Sequence, residues 1–398
     1  MKILFVSAVL PYPLHSGGQV RIYNLLKLLS KTHDITLCAF TRSDEEKKYI
    51  SELSFCKKVI TVNRGHVWQM KYLIKTVFST YPLLYSSYQN KDIRKRIDQE
   101  LSENSYDLIH LEPSYVWPVV SNMHIPLVVA EHNIEYEVYE QYVRSFSVPF
   151  LRPLLYIDVL KHRRWEEKVW AKSDHIITVS KDDALCIAKK YDSKPVTVVP
   201  NGVDTDYFQF TPTSKKSEIP SFLFVGQFKW MQNRDALSFL IRDLWPEITT
   251  SYPRARLTVV GKNIPTNLRN LITLPNIQLL ERVEDIRPLY TTHDALLAPI
   301  RIGGGTKFKI LEAMASGLPV ITTTIGAKGL DVCHEKEIYV ADTTQDILSA
   351  IRTIRGDTQQ RIAVLKNARH CIEEKYSWTQ IAKKLDHVWR KTYEKNTS

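Results

Sequence analysis

The stretch PIRIGGGTKFKILEAMASGLPVI, residues 299–321, decides how this chain is to be read. Just before and into it, Ala295 to Ile300 (ALLAPI) has the unbroken apolar character of a buried strand. Gly303, Gly304 and Gly305 follow, and residues without a Cβ let the backbone turn sharply and approach a ligand closely. Thr306 is placed to cap a helix that runs to about Ser316. Gly317 ends that helix, Pro319 prevents its resumption, and a new strand begins at Val320. A glycine loop opening a helix favours an anion, because free N–H groups and the positive end of the helix dipole both point at it. Lys307 and Lys309 lie in the first turn, where a cation opposes the dipole by about 0.3–1 kcal/mol. Two lysines there suggest that an anion joins them. Glu312 lies five residues past Lys307, about 7.5 Å along the axis at the usual helical rise. That separation suits one group on a pyrophosphate and the other on the neighbouring ribose.

Outward from this segment, strand and helix signals alternate along nearly the whole chain, which argues for parallel α/β sheets. KILFVSA, DITLCAF, KKVITV, YDLIHLE, PLVVAEH and HIITVS read as strands of a first series, and PVTVV follows at Pro195. FLFVGQF, RLTVVGK, IQLLERV, ALLAPI and PVITTT form a second. Between them TPTSKKSEIP, residues 211–220, is the best linker candidate. Two Rossmann-like domains facing a central cleft are expected, over residues 1–203 and 204–376, with ligands beyond the carboxyl ends of the strands. The terminal segment 377–398 is an amphipathic helix with Trp378, Ile381, Leu385 and Trp389 on one face. The insert HVWQMKYLIKTVFSTYPLLYSSYQ, residues 66–89, is apolar and weakly basic. It reads as a helix packed on its own domain, or as an interfacial segment that meets a membrane or a lipid-linked acceptor.

At 398 residues the chain is too long for one hydrophobic core. No run of 18 apolar residues suggests a spanning helix, and MKILFVSAVLPYPL reads as a first strand rather than a leader. The five cysteines are odd in number and widely spaced, without a CxxC pair, which is the usage of a reduced, cytoplasmic protein with no zinc site. The net charge of +11 is spread over both halves, with no basic tail, which argues against a nucleic-acid protein. Small basic clusters, KDIRKR at 91–96 and KHRR at 161–164, read singly as solvated helix faces, with peripheral contact with an anionic membrane at its inner face as the alternative. Asp204-Thr205-Asp206 has the form of a metal-binding DxD but lies in PNGVDTDYF, where turn and capping chemistry is the simpler reading. No metal and no cofactor are expected.

With these motifs in order, the chain resembles the two-domain (GT-B) nucleotide-sugar glycosyltransferases of family 4 (glycosyl transferases group 1). The resemblance rests on the Gly17-Gly18 loop after the first strand, SDHIITVS with VVPNGVDTDYF, FVGQF, and GGGTKFKILEAMASGLPVI. The triple glycine is similar to that of a subgroup of surface-polysaccharide sugar transferases. The resemblance implies a nucleotide sugar, as substrate, on the C-terminal domain, an acceptor on the N-terminal one, and a last helix that crosses back to the N-terminal domain. It implies that Glu312 bonds the ribose hydroxyls and that the backbone from Gly305 through Thr306 and Lys307 to Phe308 holds the pyrophosphate, with Gly303 and Gly304 among the donor-binding candidates. It also implies that Arg282 and Val283 contact the base, Gly17 and Gly18 approach the phosphates, and His132 sits near the transferred sugar as the catalytic candidate. Where the family carries Glu the chain has Gly304. It has Gln227 and Gln232 where the family tends to carry Arg and Lys, so Lys229, Lys262 and Lys307 are candidates to replace that charge. The activity implied is metal-independent, retaining transfer of a sugar from a UDP- or GDP-sugar to a hydroxyl of a glycan or lipid-linked glycan. The alternatives are a sugar-nucleotide epimerase of the same fold and a non-catalytic nucleotide-sugar-binding subunit.

Overall fold

Seven apolar runs build the first sheet: β1 (Lys2–Ser7), β2 (Asp34–Thr41), β3 (Lys58–Asn63), β4 (Leu108–Glu112), β5 (Leu127–Glu131), β6 (His175–Thr178) and β7 (Val196–Val198). All pairings are parallel, in the order β3-β2-β1-β4-β5-β6-β7. Ile3 stands opposite both Ile35 of β2 and Leu108 of β4. The central strands are apolar without alternation because they are buried on both faces. The order reverses between β1 and β4, so loops leaving the carboxyl ends of these two strands diverge and open a crevice. This is a computed structural model of the chain; it describes residues 1–65, 69–120, 124–144, 146, 148–212, 218–272, 274, 276–303 and 306–397.

The second sheet contains β8 (Ser221–Val225), β9 (Arg256–Val260), β10 (Ile277–Leu280), β11 (Ala295–Ala298), β12 (Val320–Thr322) and β13 (Tyr339–Val340). It is also parallel, in the order β10-β9-β8-β11-β12-β13, and reverses between β8 and β11. The two-residue β13 is too short to leave a periodic signal in the sequence. The sheet is enclosed in a core that includes Phe222, Phe224, Trp245, Leu296, Met314 and Ile321.

The chain divides into two units, Met1–Pro200 with Ile381–Ser398, and Asn201–Gln380. The helix Trp378–Thr397 begins in the second and ends in the first. Ile381, Leu385 and Trp389 are buried along it, the stripe that the spacing predicts. The polar tract at 211–220 is not the connection between the units. Residues 213–217 lie outside the described residues, and the flanking chain is held inside the second unit. Phe208 enters its core, Arg369 donates to the carbonyls of Phe208 and Thr205, and Val203 bridges Ser377.

The insert at 66–89 forms two helices, Met70–Val77 and Leu83–Tyr88, with 66–68 outside the described residues. Tyr72, Tyr85 and Tyr88 are buried, whereas Met70, Ile74, Val77 and Phe78 face outward, so the insert packs through one side only.

Candidate active site

At the β1–β4 fork of the first unit, the helix Gly17–Leu29 starts from Ser16, whose hydroxyl accepts from the Gln19 N–H. Gln19 in turn donates to the Leu10 carbonyl and ties down the loop after β1. One turn on, Arg21 points inward and is 1% exposed. Its Nε donates to Glu112 Oε1 at 2.7 Å and its Nη1 to the Pro200 carbonyl at 2.8 Å. Glu112, the last residue of β4, is fully buried and is the hub of a network. His132 Nε2 lies 2.7 Å from the same Oε1, and His110 Nε2 lies 3.2 Å from Oε2. Trp389, on the C-terminal helix, donates to His110 Nδ1 at 3.0 Å, which places the His110 proton on Nε2. Burial acts to raise the Glu112 carboxyl, yet Arg21 and the two imidazoles override it and hold the group well below the usual carboxylate range. Burial meanwhile lowers His110 and keeps it neutral against the attraction of Glu112.

His132 follows β5 directly and remains partly open, its side chain 24% exposed. With Glu112 anionic, Nε2 carries the proton and Nδ1 is the lone-pair nitrogen. Gly18 lies on that side: a Cβ there would be 3.5 Å from His132 Cε1 and 3.7 Å from Nδ1. Beyond His132 the helix Glu135–Arg144 is seated by Glu166, whose carboxylate accepts from the Glu135 and Tyr136 N–H groups at 2.9 and 2.8 Å. The structure therefore brings Gly18 and His132 together, and adds Glu112, Arg21 and His110. The sequence signal for these three was an ionisable residue inside an otherwise apolar strand or helix face, whose cost of burial implies a partner.

At the β8–β11 fork of the second unit, the loops after β8, β9 and β11 meet. Gly226 N–H donates to the Val260 carbonyl, and Phe228 N–H to the Lys262 carbonyl, which joins the loops after β8 and β9. Gly261 is required there, since a Cβ would fall 1.8 Å from the Gly226 oxygen. After β11 the chain turns through Gly303 at φ +104°, a conformation that disfavours any side chain. Gly304 and Gly305 lie outside the described residues. The helix then runs Phe308–Ser316 and is closed by Gly317. Its N-cap position is Lys307, not Thr306, and no side chain caps it. The Thr306 hydroxyl, one residue outside the helix, is buried with no hydrogen-bond partner among the described residues.

Lys307 is 8% exposed, and burial, with Lys328 adding repulsion, lowers it to about 8. Lys309 is lowered further, to about 7, by burial first and Lys307 second, with Glu312 opposing. Its ammonium donates to Asn233 Oδ1 at 2.7 Å and lies 5.2 Å from the centre of the Phe224 ring. Glu312, one turn on, accepts from the Tyr290 hydroxyl at 2.7 Å, and burial raises its carboxyl against the pull of Tyr290 and Lys309. Lys229 and Lys262 are exposed on the loops after β8 and β9, and the Lys229 ammonium lies 5.0 Å from the Trp230 ring centre. Arg282 is exposed past the end of β10, two strands from β8, while Val283 packs on the core. Phe308 is half-buried with its ring 6.4 Å from that of Trp378. Asp204 Oδ1 accepts from the Asp206 and Tyr207 N–H groups, which is turn chemistry.

Two parallel-sheet α/β units, each with its crevice at a strand-order reversal, match the GT-B class, and comparison with known proteins places the chain within it. Residues 15–207 match the model of Glycosyltransferase Family 4, and residues 219–357 that of Glycosyl transferases group 1. The chain belongs to the family 4-like GT-B glycosyltransferases and is an enzyme of that type. Sucrose-phosphate synthase from Thermosynechococcus elongatus superposes with a TM-score of 0.74 at 15% identity, over 99% of this chain and 100% of that one. HepE of Anabaena, solved with UDP and glucose, superposes with a TM-score of 0.65 at 15% identity, over 98% and 99%. An uncharacterised 44.6 kDa protein in the cps region of Klebsiella pneumoniae is 23% identical over 94% of this chain and 96% of its own length. An Escherichia coli UDP-Gal:alpha-D-GlcNAc-diphosphoundecaprenol alpha-1,3-galactosyltransferase is 23% identical over 52% of this chain and 57% of its own.

Proposed function

We propose that the second unit binds a nucleoside-diphosphate sugar, UDP- or GDP-linked, at the β8–β11 fork, and that the enzyme passes the sugar to a hydroxyl of a glycan or lipid-linked glycan held by the first. The observation that carries this reading is the pair Lys307 and Lys309 at the start of a helix whose dipole already favours an anion. Two amines driven down by burial are stabilised when a diphosphate joins them. The buried Thr306 hydroxyl gains an acceptor at the same moment. Glu312 is placed one turn further on to take a ribose hydroxyl. A solved neighbour with UDP and glucose, and a relative named for a diphosphoundecaprenol acceptor, support the donor and acceptor classes.

Departure of a nucleoside diphosphate concentrates negative charge on the β-phosphate. Preorganised N–H groups and the two lysines stabilise that charge as it develops, without a metal. His132, fastened to Glu112 through Nε2, offers Nδ1 as an acceptor for a hydroxyl of the transferred sugar or of the acceptor. Resemblance to the family carries the expectation of retained anomeric configuration, which product NMR tests directly. Calorimetry with UDP, GDP, ADP and CMP in the presence of a chelator tests the donor site. One nucleoside diphosphate binds at micromolar concentration, and Glu312→Ala weakens it. No binding by any of the four discards the reading.

A further inference from the structure

The surface of the first unit carries an apolar face that the donor and acceptor chemistry does not use. Of the nineteen large apolar side chains exposed among the described residues, twelve belong to three helices, Met70–Val77, Glu135–Arg144 and Arg152–Lys172, and to the residues that border them. On the first helix Met70, Ile74 and Val77, with Phe78 beyond its end, form an outward stripe, and Phe78 is 86% exposed. On the third, Leu154, Ile157 and Leu160 recur on the side opposite Val159, His162 and Trp165, which are buried, and Phe150 before it is 81% exposed. These helices therefore have an apolar buried side and a second apolar side turned to water, which a soluble surface does not call for.

The helices are locked together. Lys161 donates to the carbonyls of Thr76 and Ser79, Trp165 donates to that of Thr80 and stacks on Tyr81, and Asp158 accepts from the Leu83 N–H. The two stripes thus belong to one rigid surface. Cations fringe it: Lys71 on the first helix, where the segment 69–80 has no carboxylate, and Arg164 on the third are exposed, while Lys75 and Arg152 also donate to the Gln89 and Phe146 carbonyls. The neighbouring carboxylates are turned to internal partners, Asp158 to Leu83 and Glu140 to Arg144 and Tyr156.

We propose that this face docks in the interface of an anionic lipid bilayer, with Phe78, Ile74, Leu154 and Leu160 inserted among the acyl chains and the cations on head-group phosphates. Apolar side chains ringed by Lys and Arg match both layers of such an interface. No helix among the described residues is long and apolar enough to cross a membrane, so the contact is peripheral. The inference stands on the surface alone and is independent of the donor site.

Co-sedimentation of the full chain with vesicles tests it, using phosphatidylcholine alone and phosphatidylcholine mixed with phosphatidylglycerol. Binding to the anionic vesicles, weaker at high salt, is expected, and Phe78→Glu with Leu160→Glu lowers it on the order of tenfold or more. The substituted side chains are exposed, and the denaturant midpoint of the first unit in the same variant, measured alongside, reports that its fold is intact. No binding to anionic vesicles, or binding that the double variant retains, overturns the proposal. So does a concentration-dependent dimer that the variant abolishes, which would assign the face to a second copy of the chain. If nucleotide binding fails while vesicle binding succeeds, the donor reading falls and the docking surface stands.

Discussion

The two strand-order reversals invite comparison, because the same topology is filled by opposite electrostatics. At the β1–β4 fork a buried carboxylate, Glu112, is surrounded by Arg21, His110 and His132, and the charge is settled inside the protein. At the β8–β11 fork two lysines are pressed together and driven down by burial, with Asn233 as a neutral partner of Lys309. The first arrangement is complete in the free enzyme and holds a histidine in one orientation. In the second, Glu312 is the carboxyl that draws on Lys309, and burial outweighs it. Burial holds both amines of the second arrangement below their ordinary value, and an anion arriving beside them would raise them again.

Breaking the completed network has the largest effect on stability. Glu112→Gln leaves Arg21 buried without its counter-charge and costs about 3–5 kcal/mol. This is read as a lower denaturant midpoint for the first unit, with nucleotide binding by the second retained. The same network makes the first unit acid-sensitive. A carboxyl held below its unfolded value stabilises above that value, and the contribution is lost as pH falls through its depressed folded one.

At the other fork the effect falls on binding and turnover. Lys307→Ala removes charge where the leaving diphosphate develops it, and turnover drops by about 10²–10³. Diphosphate product binding weakens in step, and wild-type values for both would end the assignment of this site. Glu312→Ala has a smaller effect, about tenfold on nucleotide affinity, as expected for a lost hydrogen bond to a hydroxyl.

The pH dependence sharpens the contrast further. Lys309 and Lys307 stand at about 7 and about 8 in the free protein, against 10.5 in an unfolded chain. Between those values the unfolded state binds more protons, so the stability of the free second unit rises with pH. Diphosphate affinity moves the other way: it is greatest when both amines are charged, below about pH 7, and declines above about pH 8. Binding at pH 8 takes up protons, and calorimetry in buffers of different ionisation enthalpy measures the uptake. A smaller change on folding is expected at His132, where Ala removes one of the partners of buried Glu112, costs about 1–3 kcal/mol and lowers turnover by about 10²-fold.

Much of this was legible in the residues. The two strand series, the helix closed by Gly317 and the terminal stripe through Trp389 follow from unbroken apolar runs and periodicity, which are local properties. So is the anion signal at 303–309, since glycines, a helix start and two lysines are adjacent in the chain. The helix start itself shifted by one residue, to Lys307, because a propensity for Thr at caps does not determine which backbone turns first. The tract at 211–220 looked like a linker by composition. Phe208 and Arg369 assign its flanks to the second unit through contacts that composition does not register.

The sequence by itself determined two α/β series, an amphipathic terminal helix and the adjacency of glycines and lysines at 303–309. All of these depend on residues within a few positions of one another. Only the tertiary structure decided that Glu112, Arg21, His110 and His132 share one network and that Trp389 sets the His110 tautomer, from 279 positions away. It also decided that Lys309 meets Asn233, 76 positions off, and that the apolar residues of two helices face water rather than the core. Partner choice and burial are properties of packed elements. They fix which groups hold a buried charge and how far burial shifts it, and neither can be summed from local preferences.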